Sequence, residues 1–235
     1  MEIMEIITES LRYPINNIKA LVIYVVLCIV AFFALIITGV GIGIVATTDS
    51  VALAGGLGII GIIIAFAVLL LIAGYILDVI KIAINREDGA PEIDPVRQII
   101  NGAKLVVVSF VYMIIPIILM AILAAINEYL AIVGIIIFIF FALALMMGQC
   151  RLAKTESLGY ALNIGEALKD ISEIGIVKVL LVIIIVGIIG VVLSLIGSLI
   201  AQYSEIIGGI LTSIFSVYIA FFQNRAYGLL YSDIE

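Results

Sequence analysis

The chain has 235 residues, is 66% hydrophobic, and carries 11 Lys and Arg against 17 Asp and Glu. A soluble domain of this length could not bury so much apolar surface, and a mean hydropathy of +1.43 places the chain in the membrane class. The net charge of −6, with acids in excess, makes nucleic acid a poor partner.

The first segment, Met1–Lys19, aligns Ile3, Ile7 and Leu11 on one helical face and sets Glu2, Glu5 and Glu9 apart. This is the pattern of an amphipathic helix lying at a membrane surface. Its acidic start lacks the basic opening of a signal peptide, so the first span is expected to be retained as its own insertion signal. Six charge-free stretches follow: Ala20–Thr48, Ser50–Leu77, Leu105–Asn127, Tyr129–Cys150, Val179–Ser204 and Ile206–Asn224. Each accommodates the roughly 20 residues a spanning helix requires. The fold class is therefore all-α: six transmembrane helices in three hairpins, with interfacial amphipathic helices between them. The organisation is one membrane domain. It comprises an N-terminal helix at 1–19, hairpins at 20–84, 105–150 and 179–227, and connections at 85–104 and 151–178.

All 11 bases lie on one side of this arrangement. They are Arg12 and Lys19; Lys81, Arg86, Arg97 and Lys104; Arg151, Lys154, Lys169 and Lys178; and Arg225. The opposite loops hold one acid each, Asp49, Glu128 and Glu205. Bases stay on the cytoplasmic side, so both termini are expected there, in a multi-pass protein of the cell membrane. The opposite turns are very short and force antiparallel neighbours.

The connections read as surface helices. In Pro91–Ala103, Asp94 suits an N-cap and Pro95 the first helical position. Val96, Ile99, Ile100 and Ala103 form an apolar face, with Arg97, Gln98 and Asn101 turned away from it. In Ser157–Ser172, Leu158, Ala161, Leu162, Gly165 and Leu168 form the apolar stripe, and Glu166, Lys169 and Asp170 the wet one. Lys19, Lys104 and Lys178 each stand where such a helix turns into a span, 85 and then 74 residues apart, which suggests one unit used three times.

At Leu11-Arg12-Tyr13-Pro14, Gly74-Tyr75-Ile76-Leu77-Asp78, and Pro91-Glu92-Ile93-Asp94 followed by Asn101-Gly102-Ala103-Lys104, the chain resembles an uncharacterised family of polytopic membrane proteins. That family is common in methanogenic archaea and is similar in layout to the membrane domain of some glycerophosphodiester phosphodiesterases. The resemblance implies an integral membrane protein of about six helices and carries over no catalytic residue.

Chemistry has few places to reside. The chain has no histidine, which removes the usual general base and zinc ligand. Cys28 and Cys150 read as buried or interfacial thiols. No cofactor is expected. The deepest acid, Asp78, stands one helical turn from Lys81, with which it could form a local ion pair. Alternatively it meets Arg151 or Arg225, which end the other returning spans at similar depth. With Gln149, Gln223 and Asn224 they would form a polar cluster able to take a lipid phosphate. Asp49, Glu128 and Glu205 could gather as an acidic ring at the opposite end. Pro116 is expected to bend the third span. Gly55-Gly56-Leu57-Gly58 lacks the lysine of a phosphate loop. Small residues (Gly39, Gly41 and Gly43; Gly190, Ser194 and Ser198; Gly209 and Ser213) would allow close helix approach, within one chain or between copies. The expectation is a non-enzymatic scaffold or accessory subunit, contacting membrane lipids and either self-associating or joining a larger complex. The alternative is a small permease or a facilitator for lipid or amphipathic solutes.

Overall fold

The computed structural model describes residues 1–47 and 51–234, with the side chains of 41–55, 57 and 205 left aside. The described residues form helices α1 (Ile3–Asn16), α2 (Ile18–Thr47), α3 (Val51–Ile84), α4 (Pro95–Ile126), α5 (Leu130–Thr155), α6 (Leu158–Ala161), α7 (Ile164–Ile174), α8 (Ile176–Ala201) and α9 (Glu205–Tyr231). A short 3-10 turn, Ser232–Ile234, closes the chain. Six of these helices are long and apolar enough to cross a membrane. Their Ile- and Val-rich stretches would suit strands in water. In hydrocarbon every backbone group must be satisfied within its own segment, so they wind as helices.

Consecutive spans pair as α2–α3, α4–α5 and α8–α9. The second members, α3, α5 and α9, touch one another and form the inside of the bundle. The packed core lies almost wholly toward the basic end. There Leu77, Ile80, Met146, Met147, Val179, Val182, Phe222 and Ala226 are buried together. Toward the opposite end each hairpin packs chiefly on itself. A Cβ on Gly61 would stand 2.4 Å from Thr38 Oγ1, and one on Gly197 would stand 2.6 Å from Thr212 Oγ1. The neighbouring Ile59, Ile63, Ile135, Ile139, Ile210 and Ile214 are exposed. Tyr129 and Tyr203, beside the turns at that end, are 73% and 93% exposed, as aromatic anchors at a membrane boundary would be.

The segment Pro95–Ala103 corrects one expectation. Asp94 does cap the helix, its carboxylate accepting the Arg97 N–H at 3.2 Å, and Pro95 opens it. The helix then continues unbroken into the span instead of lying as a separate surface helix. Its polar face is the one that turns inward: Gln98, Asn101 and Gly102 are buried, whereas Val96 is 71% exposed. The reason is close contact with α3. A Cβ on Gly74 would lie 1.9 Å from the Gln98 carbonyl oxygen, and one on Gly102 the same distance from that of Leu70. Two glycines bring the backbones together, and the polar face of α4 then finds its partners on α3. The same helix runs through Pro116, which is buried.

The segment Ser157–Ser172 is not one helix. It breaks after Ala161, and Asn163 starts α7 by accepting the Glu166 N–H at 3.2 Å. An Asn that caps a new turn competes with helix continuation. The buried face of α7 is Ala167, Asp170 and Ile171, so Asp170 points inward and Leu168 is exposed. The N-terminal helix α1 buries Ile6, Ile7, Ser10 and Tyr13 and docks on α8 and α9.

Because the α3–α4 contact has no room for a side chain, Gly74→Ala or Gly102→Ala should cost ~2 kcal/mol or more. Gly39→Ala, whose added Cβ would meet nothing within 4 Å, should be neutral. Thermal unfolding of the three purified variants in one detergent checks the ranking.

Candidate functional site: a charged layer at the basic end

Three buried or half-buried pairs organise this end of the bundle. On α3, the Asp78 carboxylate accepts two hydrogen bonds from Arg97, at 2.8 and 2.9 Å, and one from the Gln98 amide at 2.7 Å. On α5, Arg151 donates to both oxygens of Asp170 of α7, at 3.0 and 3.2 Å, and through Nε to the Tyr160 carbonyl at 3.0 Å. On α9, Arg225 is 0% exposed. It donates to Glu9 of α1 at 2.6 Å, to Asp88 at 3.3 Å and to the Glu87 carbonyl. Its guanidinium lies 4.6 Å from the centre of the Tyr13 ring, and the Tyr13 hydroxyl donates to the Gly89 carbonyl at 2.9 Å. Burial pushes that hydroxyl up to about 12, with Arg225 pulling the other way.

The pairs share a rule. Each joins the second span of one hairpin to the segment that leads into another hairpin. Asp78 and Arg97 are 19 residues apart, and so are Arg151 and Asp170. The third pair runs from the last span back to α1 and closes the ring. Polarity is reversed at the first joint, where the span carries the acid.

The expected meeting of Asp78 with Arg151 or Arg225 is thus replaced by three separate pairs. The charges at these helix ends reach sideways to the next unit and not toward one another. Gln149 is half-buried on α5. The Gln223 amide donates to the Tyr227 hydroxyl at 2.8 Å and the Asn224 amide to the Ala220 carbonyl at 2.7 Å, each within α9. At the opposite end Glu128 is exposed. Asp49 and the Glu205 side chain, the other members of the expected acidic ring, lie outside the described residues.

Glu156 was not legible as a hub. It ends α5 in the left-handed region, φ 52° and ψ 18°. Its carboxylate accepts from Lys81 at 2.8 Å and Arg97 at 3.2 Å, and its carbonyl accepts from Lys104 at 2.7 Å. The Lys81 hydrogen bond is the largest cause holding its carboxyl down at about 2; partial burial opposes it, and Asn101 and Arg97 assist. Near the closing turn, Asp233 gathers the Met1 amino group at 2.7 Å together with Lys178. Sequence spacing could have found Arg97 and Asp170, since both lie 19 residues beyond a span-end charge. Nothing local marks Glu156, which depends on a cap conformation and on partners from two other helices, α3 and α4.

Chemically the layer is a set of mutually neutralised charge pairs, although the buried Arg225 Nε finds no hydrogen-bond partner. Arg151 and Asp170 are both at most a tenth exposed and mutually neutralised. Beneath them Cys150 is fully buried, its thiol donating to the Tyr227 carbonyl at 3.6 Å. Such pairs fix which segments meet. They are weak evidence for net stability, yet breaking one is costly.

Residues 57–202 match the family described as a protein of unknown function, DUF4013. The match includes the first two joints. No curated protein and no solved structure matches the chain.

Two outcomes follow for this layer. Asp170→Asn leaves Arg151 buried without its countercharge and should cost ~3 kcal/mol or more, whereas replacing both by Leu should recover much of that loss. Asp78→Asn should cost less, because Arg97 is about a third exposed and keeps Glu156. Unfolding midpoints of the single and double variants check this. For pH, a carboxyl held below its ordinary value contributes stability that is present above about 4.5 and is lost as pH falls toward about 2. The wild-type midpoint should therefore drop across that window, and Glu156→Gln should remove part of the drop.

Proposed function

We propose that this chain, which belongs to the DUF4013 family of unknown function, is a non-catalytic structural or accessory protein of the cell membrane. On this reading its termini and charged layer face the cytoplasm, and it works by self-association or as part of a larger membrane complex. The observation that carries the reading is how the charges at the basic end are used. Asp78, Arg151, Asp170 and Arg225 are each engaged within the chain, in pairs that hold hairpins together. The core beneath them is apolar and closely packed. A catalytic site needs a nucleophile or base with an aimed partner, and a transport path needs polar groups facing a passage.

The alternative, a permease or lipid facilitator, draws support from one feature: toward the opposite end an open apolar groove lies between α2 of the first hairpin and α9 of the third. An archaeal, methanogen-type origin and the likeness to the membrane domain of glycerophosphodiester phosphodiesterases remain part of the proposal and rest on the quoted motifs.

Orientation is testable with single-cysteine variants in a chain freed of Cys28 and Cys150. An impermeant maleimide should label Asn127→Cys and Gln202→Cys from outside intact cells and spare Asp88→Cys; the reverse pattern would invert the assignment. Function is tested in proteoliposomes. We expect neither lipid turnover nor protein-dependent solute flux, and an assembly larger than the 25.2 kDa monomer in mild detergent. Turnover lost on changing Glu92 or Asp94 would establish an enzyme. Flux that responds to Asp78→Asn would establish the permease.

A further inference from the structure

Among the described residues, the buried side-chain polar atoms without a hydrogen-bond partner are Ser10 Oγ, the Tyr75 hydroxyl and Arg225 Nε. Each of these residues is 0% exposed, and all three stand at the third joint. Ser10 is on the buried face of α1, next to Glu9, which accepts from Arg225 at 2.6 Å. The Arg225 guanidinium lies against the ring of Tyr13, the residue one helical turn beyond Ser10. Tyr13 and Tyr75 both pack on Phe221, with ring centres 6.4 and 6.3 Å from its own. A buried polar atom without a partner loses its hydration and gains no bond in exchange. The charge pairs of the first two joints, by contrast, leave no such atom among the described residues.

α1 is also a helix that can give way. It breaks from α2 at the single residue Asn17, at φ −116° and ψ 50°, where the Asn17 amide donates to the Tyr13 carbonyl at 3.1 Å. Its main neighbours are α9 and α8, not α2, the span it leads into. It can therefore swing about Asn17 without parting any hairpin. The two acids on Arg225 already meet water, since the Glu9 side chain is 36% exposed and that of Asp88 is 92% exposed. A groove of about 580 Å³, with Thr8, Glu9, Tyr13, Asn17 and Asp88 in its wall, opens on that side of α1. The apolar residues that α1 buries, Ile6 and Ile7, would pass from protein to lipid at the membrane surface. That exchange costs little, because acyl chains are as apolar as the core. Release thus hydrates the unpartnered atoms at small apolar cost.

We propose that α1 is a releasable strap over the third joint. Docked, it covers Arg225 and closes the ring of hairpins. Released, it pivots at Asn17 onto the membrane surface and uncovers Arg225, which keeps Asp88 and gains water. The first two joints stay shut, so the basic end opens at one place only.

Hydrogen–deuterium exchange of the full chain in lipid nanodiscs tests the strap against α7, which Arg151 and Asp170 hold at the second joint. The hydrogen-bonded amides of α1 should exchange at least tenfold faster than those of α7. Ser10→Ala, which deletes one unpartnered atom, should slow α1 at least threefold and leave α7 unchanged. Thr8→Ala, on the exposed face of α1, brings a similar gain in helix propensity and should slow α1 by less. Glu9→Gln, which weakens the tie to Arg225, should speed α1. Equal rates in α1 and α7, or equal effects of Ser10→Ala and Thr8→Ala, would overturn the proposal. So would Ser10→Ala speeding α1, since the hydroxyl would then be fastening the helix through a bound water. Electron–electron distances give an independent readout. Spin labels on Thr8→Cys and Glu166→Cys, both at exposed positions, are placed in a chain freed of Cys28 and Cys150. Two distances are expected, with the docked one gaining in Ser10→Ala; a single distance would refute the strap.

Discussion

A charge in a low-dielectric setting must be paired, and this constraint organises the basic end of the molecule. Arg225 is fully buried and Arg151 nearly so. Neither position is tolerable without a carboxylate, and each finds one on a segment that leads into another hairpin. Hairpin association in lipid receives little help from the hydrophobic effect, because lipid tails are as apolar as the helices. The pairs therefore supply what apolar contact alone does not: a reason for one particular segment to dock at one particular place.

The reversed polarity of the first joint sharpens that choice. Asp78 attracts Arg97 and would repel Asp170 or Glu9 in its place. Arg151 and Arg225 would likewise repel Arg97. Three units with similar spans and similar helix ends are thus partly distinguished by charge, a form of specificity that rests on penalising wrong pairings. The apolar core then fills in beneath the pairs, and the glycine contacts bring backbones together where the pairs have set the register.

The opposite end is governed by different physics. There are no bases there, and each hairpin is held chiefly by its own close contacts, such as Gly61 with Thr38 and Gly134 with Met120. Helices that converge at one end and part at the other make a bundle with lateral crevices.

The sequence by itself determined the number of spans, their pairing into hairpins and the segregation of bases to one end. These follow from one-dimensional rules: a helix must be about 20 apolar residues long to cross hydrocarbon, short turns force antiparallel neighbours, and bases collect on one side. It also marked Asp78, Arg151 and Arg225 as charges at equivalent depth. Which charge meets which was decided by tertiary structure, because residues at one depth are interchangeable along a sequence and become distinct only when helices take places around the bundle. The inward turn of the polar face of α4 was decided the same way. Its 3.6-residue periodicity shows two faces without saying what each will touch, and only the close approach of Gly74 to Gln98 and of Gly102 to Leu70 made the polar one the inside. Asp170 and Glu156 became partners of buried or half-buried bases for the same reason: one depends on a helix restarting at Asn163, the other on a left-handed cap, and both of those outcomes belong to the packed chain.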